Sequence, residues 1–254
     1  MSVTAQVQES VGVITLAEPG RRNPLSLHTM RQITGMLRDF GEDARVRVVV
    51  IAADGPAFSA GHDLSELTGR TLSQEREVFE ACTELMTAVH RTRQPVIAQV
   101  QGMALAAGCQ LVATCDLAIA ADTARFSTPG VKIGLFCSTP MVALSRAIGR
   151  KRALQMLLTG DLIDAATAAE WGLINAAVPA DRLADTVADL ASRMAFASAE
   201  TLAIGKRAFY DQIERTEPEA YRLMTAVMAE NAMTCDAQEG ISAFLEKRPA
   251  VWSS

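Results

Sequence analysis

Two short stretches bring small residues to places where a loop meets a helix: FSAGHDL, residues 58–64, and GMALAAGC, residues 102–109. Glycine and alanine let backbone approach a ligand closely, and the first amides of a helix have no internal acceptor. Two such N–H groups aimed at one oxygen make an oxyanion hole, which stabilises negative charge developing on a carbonyl. The same residues, Ala104, Ala106, Ala107 and Gly108, also suit plain close packing of a helix, and the stretches alone leave both readings open. Asp63 and Glu66 stand beside the first stretch at a helix head, where capping explains them. The surrounding segment, residues 97–135, is rich in small residues and poor in acids and bases.

Periodicity supplies the elements that must position these stretches. VTAQVQESVGVITLAEP alternates around a turn-prone ESVG and reads as an antiparallel hairpin. SLHTMRQITGMLRDF sets Leu27, Met30, Ile33, Leu37 and Phe40 at helical spacing behind a Ser26 cap. RVRVVVIAADG is a buried strand, and Thr71 with Gln74 makes a capping box for a long helix that ends before Pro95. PVIAQV is then a strand, MALAAGCQLVATC a small-residue helix, and DLAIAA and RFST two further strands. The repeating unit is strand, strand, helix. Pro140, just after Ser138 and Thr139, marks the next helix start, and no strand-like run follows. The expectation is an α/β core over residues 1–194 and a helical C-terminal region over 195–254.

A chain of 254 residues with 49% hydrophobic composition has ample material for a buried core. With 24 basic against 29 acidic residues, the net charge of -5 gives no general attraction for nucleic acid or an anionic membrane. An anionic ligand must meet local positive charge. The beginning, MSVTAQVQES, lacks the pattern of a signal peptide, and no apolar run approaches a spanning helix, so a cytoplasmic protein is expected. Five cysteines without C-x-x-C spacing indicate neither a disulfide framework nor a zinc site.

The segments RRNPLS, FSAGHDLSEL, PVIAQVQGMALAAGCQLVATCDLAIAADTARFSTPGVKIGL, AAEWGLIN and EGISAFLEKR resemble, almost end to end, the crotonase (enoyl-CoA hydratase/isomerase) superfamily. The resemblance implies a spiral of strand-strand-helix repeats whose C-terminal helices form trimers, often stacked as hexamers. It places one oxyanion amide on His62, after Gly61, and the other on Ala107, before Gly108, to hold the thioester carbonyl of an acyl-CoA. Coenzyme A then enters as part of the substrate, with no permanently bound cofactor. Arg21 and Arg22 match a basic position that meets the coenzyme's phosphates. Lys247 matches a lysine that reaches the coenzyme from a neighbouring subunit. Ala60, Asp63, Leu64, Leu67 and Met103 border the implied acyl site, as do Cys137 and Ser138, which stand where other branches carry an aspartate or an aromatic group.

Hydratases of this superfamily carry two proton-handling glutamates, and the matching positions here are Gln110 and Gly130. An amide accepts no proton near neutral pH, and glycine offers no group. Loss of one positioned acid or base costs about 10²–10⁴ in rate. The same absence is shared by the enoyl-CoA hydratase domain-containing proteins of the mitochondrial type and their bacterial relatives, the branch this chain most resembles. Hydration or isomerisation is the nominal activity implied. FSAGHDL also resembles the methylmalonyl-CoA decarboxylase branch, in which loss of carbon dioxide makes the enolate without a base. The His62 ring is then a candidate for proton transfer or for recognition of an anionic acyl group. Non-catalytic acyl-CoA binding is the third reading. Restoring the acids through Gln110→Glu with Gly130→Glu is the expected route to faster hydration. Asp116, in TCDLA, reads as a structural turn or cap residue.

Overall fold

The computed structural model describes residues 2–253. Strands β1 (Val3–Gln8) and β2 (Val11–Leu16) form the expected antiparallel hairpin. After the short β3 (Pro24–Leu25), α1 (Leu27–Glu42) begins with Ser26 accepting the Thr29 N–H, a satisfied N-cap. Then come β4 (Val48–Ala53), β5 (Ala57–Ser59), β6 (Gly61–His62) and α2 (Leu72–Arg91), which opens on the Thr71/Gln74 capping box. The next unit is β7 (Val96–Val100), β8 (Met103–Leu105) and α3 (Ala107–Thr114). After it run β9 (Leu117–Ala121), β10 (Arg125–Ser127), α4 (Ser138–Ala147) and α5 (Arg150–Thr159). The chain closes through β11 (Ile163–Asp164), α6 (Ala165–Trp171), β12 (Ala176–Val178), α7 (Leu183–Ala195), α8 (Ala199–Gln212), α9 (Glu217–Ala232) and α10 (Cys235–Glu246).

Each repeat sends its first strand to one sheet and its second to another. The large sheet runs β1-β2-β4-β7-β9-β12, and the smaller one runs β11-β10-β8-β5. β4, β7 and β9 therefore stack in the same order as β5, β8 and β10, which is the turn-by-turn advance of a spiral. The central parallel strands β4, β7 and β9 are buried on both sides, as parallel strands under helices are. Val49 and Ile51 of β4 enter the main core, while Val48 and Val50 pack with Ile97, Ile119 and the α7 residues Leu183, Val187 and Ala191. That two-sided burial accounts for the unbroken apolar run VVVIAA, where each full Val burial is worth about 1.5–3 kcal/mol. Toward the C-terminus packing thins: α8 buries only Ala208 and α9 buries no residue within one chain.

Two expectations need correction. MALAAGCQLVATC is not one helix: Met103–Leu105 is a strand between β5 and β10, and the helix starts only at Ala107. The helix start expected at Ser138, Thr139 and Pro140 is found: α4 begins at Ser138, with Cys137 as its N-cap. The chain after Pro140 is also not free of strands, because β11 pairs with β10 and β12 extends the large sheet beside β9. These pieces have two and three residues, too short to show a period.

Candidate active site

The two small-residue stretches meet. Gly61 has φ +94, and a Cβ there would lie 2.9 Å from Ala106 Cβ, 3.0 Å from Leu105 O and 3.3 Å from Ala107 N. Gly108 is seated on Ser59 in the same way, its hypothetical Cβ 2.6 Å from Ser59 O. Ser59, fully buried, also accepts the Gly61 N–H through Oγ at 3.1 Å. The approach that demands small residues sets the strand ending at His62 against the head of α3. Ala107 is the first residue of that helix, where the helix offers its N–H no acceptor. Ala106 makes the bend into the helix at φ 48, ψ -116, a conformation alanine resists.

The 21–25 segment steadies this junction from the side. Asn23, buried at φ 52, donates to Asp54 O and Ala57 O and accepts from Glu18 N. Arg22 O takes the Ala60 N–H at 2.9 Å, and β3 pairs with β6. Arg21 holds Asp63 at 2.7 Å, and Asp63 also accepts from the Ser65 amide and hydroxyl. These bonds hold the Asp63 carboxyl below its usual range against the opposing effect of burial. Glu66 accepts the Leu27 N–H at the head of α1. The side chain of Arg22 is exposed and has no ion-pair partner among the described residues. Lys247 is an exposed left-handed cap at the end of α10. Leu64 is exposed, Met103 and Ala60 are half-buried, and Leu67 packs against the main core.

The positions that lack acids are filled in specific ways. Gln110, buried one turn into α3, has its Oε1 3.7 Å from the Cys82 thiol of α2. Burial pushes that thiol up to about 12, so the pair offers no base. At Gly130 a Cβ would lie 2.0 Å from Leu135 O and 2.8 Å from Cys137 Sγ. The chain coils through a 3₁₀ turn, Pro129–Ile133, reverses at Gly134 with φ 78, and returns so that Leu135 N donates to Gly130 O at 3.0 Å. Restoring the second glutamate by substitution is therefore excluded by space and not by backbone angle. Cys137 is buried with its thiol pushed up by desolvation, and Ser138, exposed, donates to Phe136 O at 3.4 Å.

The His62 ring turns inward and meets Phe79 of α2 edge-on, with centroids 5.4 Å apart. Both ring nitrogens are buried without a hydrogen-bond partner. Burial lowers its pKa below the ordinary 6.5, against smaller upward effects of the Leu25 backbone and the Glu66 carboxylate. The ring is neutral near pH 7, so it supplies no positive charge for an anionic acyl group. Asp116 is a clamp and not a turn cap. Its carboxylate accepts from Val96 N at 2.7 Å, Tyr210 OH at 2.7 Å and Lys206 Nζ at 2.6 Å. Cys82, Phe79, Ser59 and the Leu135 carbonyl escaped sequence reasoning, since each acts through a contact made only by the fold.

Residues 6–254 match the family profile described as Enoyl-CoA hydratase/isomerase. The chain belongs to that family. It is 44% identical over 247 residues to the mitochondrial enoyl-CoA hydratase domain-containing protein 3 of Rattus norvegicus, covering 97% of this chain and 82% of the relative. A solved enoyl-CoA hydratase from Mycobacterium smegmatis superimposes with TM-score 0.97 and 42% identity over 100% of both chains. The human enoyl coenzyme A hydratase domain-containing protein 3 superimposes with TM-score 0.97 and 42% identity, covering 99% of this chain and 100% of that one. The α/β core is thus a crotonase fold, and family membership supports a role connected with acyl-CoA. The expected cytoplasmic location does not stand, because the rat and human relatives, with those of mouse, frog and zebrafish, are named as mitochondrial proteins.

Proposed function

We propose that this chain binds an acyl-CoA thioester and polarises its carbonyl between the amides of His62 and Ala107. The observation that supports the proposal is the close approach of Gly61 to the Leu105–Ala107 turn, which brings the strand ending at His62 to the head of α3. Backbone donors held this rigidly cost little reorganisation when charge develops on the carbonyl oxygen. Arg21, Arg22 and Lys247 supply positive charge for the coenzyme's phosphates, Lys247 from a neighbouring copy. Met103, Leu64, Ala60, Gly108, Cys137 and Ser138 border the acyl group. No cofactor is held apart from the coenzyme A of the substrate. The apolar residues left exposed on α9 and α10, including Tyr221, Met228, Phe244 and Leu245, suit burial in a homotrimer or hexamer.

The nominal reaction is enoyl-CoA hydration or isomerisation, and it is slow because Gln110 and Gly130 handle no proton. Decarboxylation of a malonyl-type thioester fits the same site, favoured by the pairing of a carbonyl-polarising junction with two missing carboxylates. Loss of carbon dioxide leaves the electron pair on the α-carbon, and the two amides stabilise the resulting enolate. The neutral His62 ring serves as a proton group there and not as a charge partner. A panel of enoyl- and malonyl-type thioesters followed by mass spectrometry tests the choice. Binding with slow or no hydration is expected, whereas hydration at the rate of a two-glutamate enzyme, after contaminants are removed, would overturn it.

A further inference from the structure

The amide of His62 follows directly on a glycine. Gly61 holds φ +94, a region glycine enters and leaves freely, so its own torsions restrain the next N–H only weakly. Upstream, backbone contacts fix the strand: the Gly61 N–H donates to Ser59 Oγ at 3.1 Å and the Ala60 N–H to Arg22 O at 2.9 Å. Downstream, the restraint comes from a side chain, that of Asp63.

Asp63 uses its two carboxylate oxygens in two directions. Oδ1 accepts the Ser65 N–H at 3.1 Å and the Ser65 hydroxyl at 2.7 Å, which turns the chain into the short 3₁₀ segment Leu64–Leu67. Oδ2 accepts from Arg21 Nη2 at 2.7 Å, a short, charge-assisted bond. Arg21 stands two residues before Asn23, which is buried and donates to Asp54 O and Ala57 O. The ion pair therefore ties the residue after His62 to an anchored part of the chain 42 positions away. Glu66 adds a second tie by accepting the Leu27 N–H at 2.8 Å. The Asp63 side chain is 10% exposed and that of Arg21 55%, so the carboxylate is sheltered while the guanidinium keeps an open edge.

We infer that Asp63 and Arg21 are positioning residues for the carbonyl site: their ion pair fixes the chain just after His62, so that the His62 N–H keeps its aim although a glycine precedes it. The inference rests on the reading of His62 and Ala107 as the carbonyl site. The pair also cancels charge. A bare carboxylate one residue from the hole would oppose negative charge developing on the carbonyl oxygen, and Arg21 offsets it. The guanidinium donors that Asp63 does not take are left for the coenzyme's phosphates.

The test is the carbonyl stretch of crotonyl-CoA, labelled with carbon-13 at the carbonyl, read at saturation by infrared difference spectroscopy in the wild type, Arg21→Gln and Asp63→Asn. Frequency at saturation reports the hole in folded, loaded protein, so a variant that is merely less stable keeps the wild-type shift. Arg21→Gln unpins the carboxylate and leaves its charge, and should lose most of the shift to lower frequency. Asp63→Asn separates position from charge, because removal of the charge alone would enlarge the shift whereas loss of the anchor diminishes it. A diminished shift is expected. A shift in Asp63→Asn equal to or larger than that of the wild type, or a full shift in Arg21→Gln, would overturn the inference and leave the ion pair a structural contact. If the wild type itself shows no shift, the carbonyl-site reading falls, and this inference with it.

Discussion

The carbonyl oxygen of Leu135 lies 2.0 Å from where a side chain at Gly130 would begin. The position that the family resemblance pairs with a catalytic glutamate of hydratases is thus occupied by the chain's own backbone. Gly130→Ala should cost about 1–3 kcal/mol through overpacking. Gly130→Glu should cost more, because the same clash carries a longer charged chain. Denaturant melts of both variants check this, and a Gly130→Glu protein of wild-type stability would show that the 130–137 turn yields easily.

Ala106 holds a backbone conformation that glycine adopts freely. Such strain costs of order 1–3 kcal/mol, and glycine gives back roughly 0.5–1 kcal/mol through its larger unfolded-state entropy. Ala106→Gly should therefore stabilise by about 1 kcal/mol, read as a rise in the denaturation midpoint. A loss of stability would mean that the Ala106 methyl packs more usefully than its angle suggests.

The Asp116–Lys206 pair is nearly buried, with side chains 15% and 8% exposed. It ties α8, which buries little else, to the start of β7. Burial lowers the Lys206 pKa, with Asp116 acting the other way. Removing one partner of a buried pair costs about 3–5 kcal/mol. Lys206→Met alone should approach that loss, while Asp116→Asn combined with Lys206→Met should recover part of it. A double-mutant cycle in urea measures the coupling.

Acid should weaken the fold before the carboxylates titrate. His62 and His90 both have pKa values lowered by burial from 6.5. The unfolded chain then binds more protons than the folded one just below pH 6.5, so stability falls as pH drops through the unfolded value toward the folded ones. The depressed carboxyls of Asp43, Asp63 and Glu239 lose their contribution only at lower pH. Urea midpoints between pH 7 and pH 5 should decline in the wild type and decline less in His90→Phe.

The caps of α1 and α2 were legible because Ser26 and the Thr71/Gln74 box act on neighbours within three residues. β4 was legible because two-sided burial writes itself as an apolar run. β8 was not, since Met103–Leu105 is apolar under either period and becomes a strand only through β5 and β10. At the site, the sequence revealed that Gln110 and Gly130 carry no acid but not what stands there instead. The Cys82 thiol comes from a different helix, and the Leu135 carbonyl arrives through a turn at Gly134. The role of Asp116 depends on Lys206 and Tyr210, which the fold alone brings to it.

On the proposed reading, the amides of His62 and Ala107 polarise a bound thioester carbonyl. Infrared difference spectroscopy of crotonyl-CoA, labelled with carbon-13 at the carbonyl, reads that bond directly in the protein complex. Two hydrogen bonds to the oxygen weaken the C=O bond, so its stretch should move to lower frequency on binding, whether or not any turnover follows. A bound ligand whose carbonyl stretch stays at its value in water, with saturation confirmed by calorimetry, would contradict the assignment of His62 and Ala107.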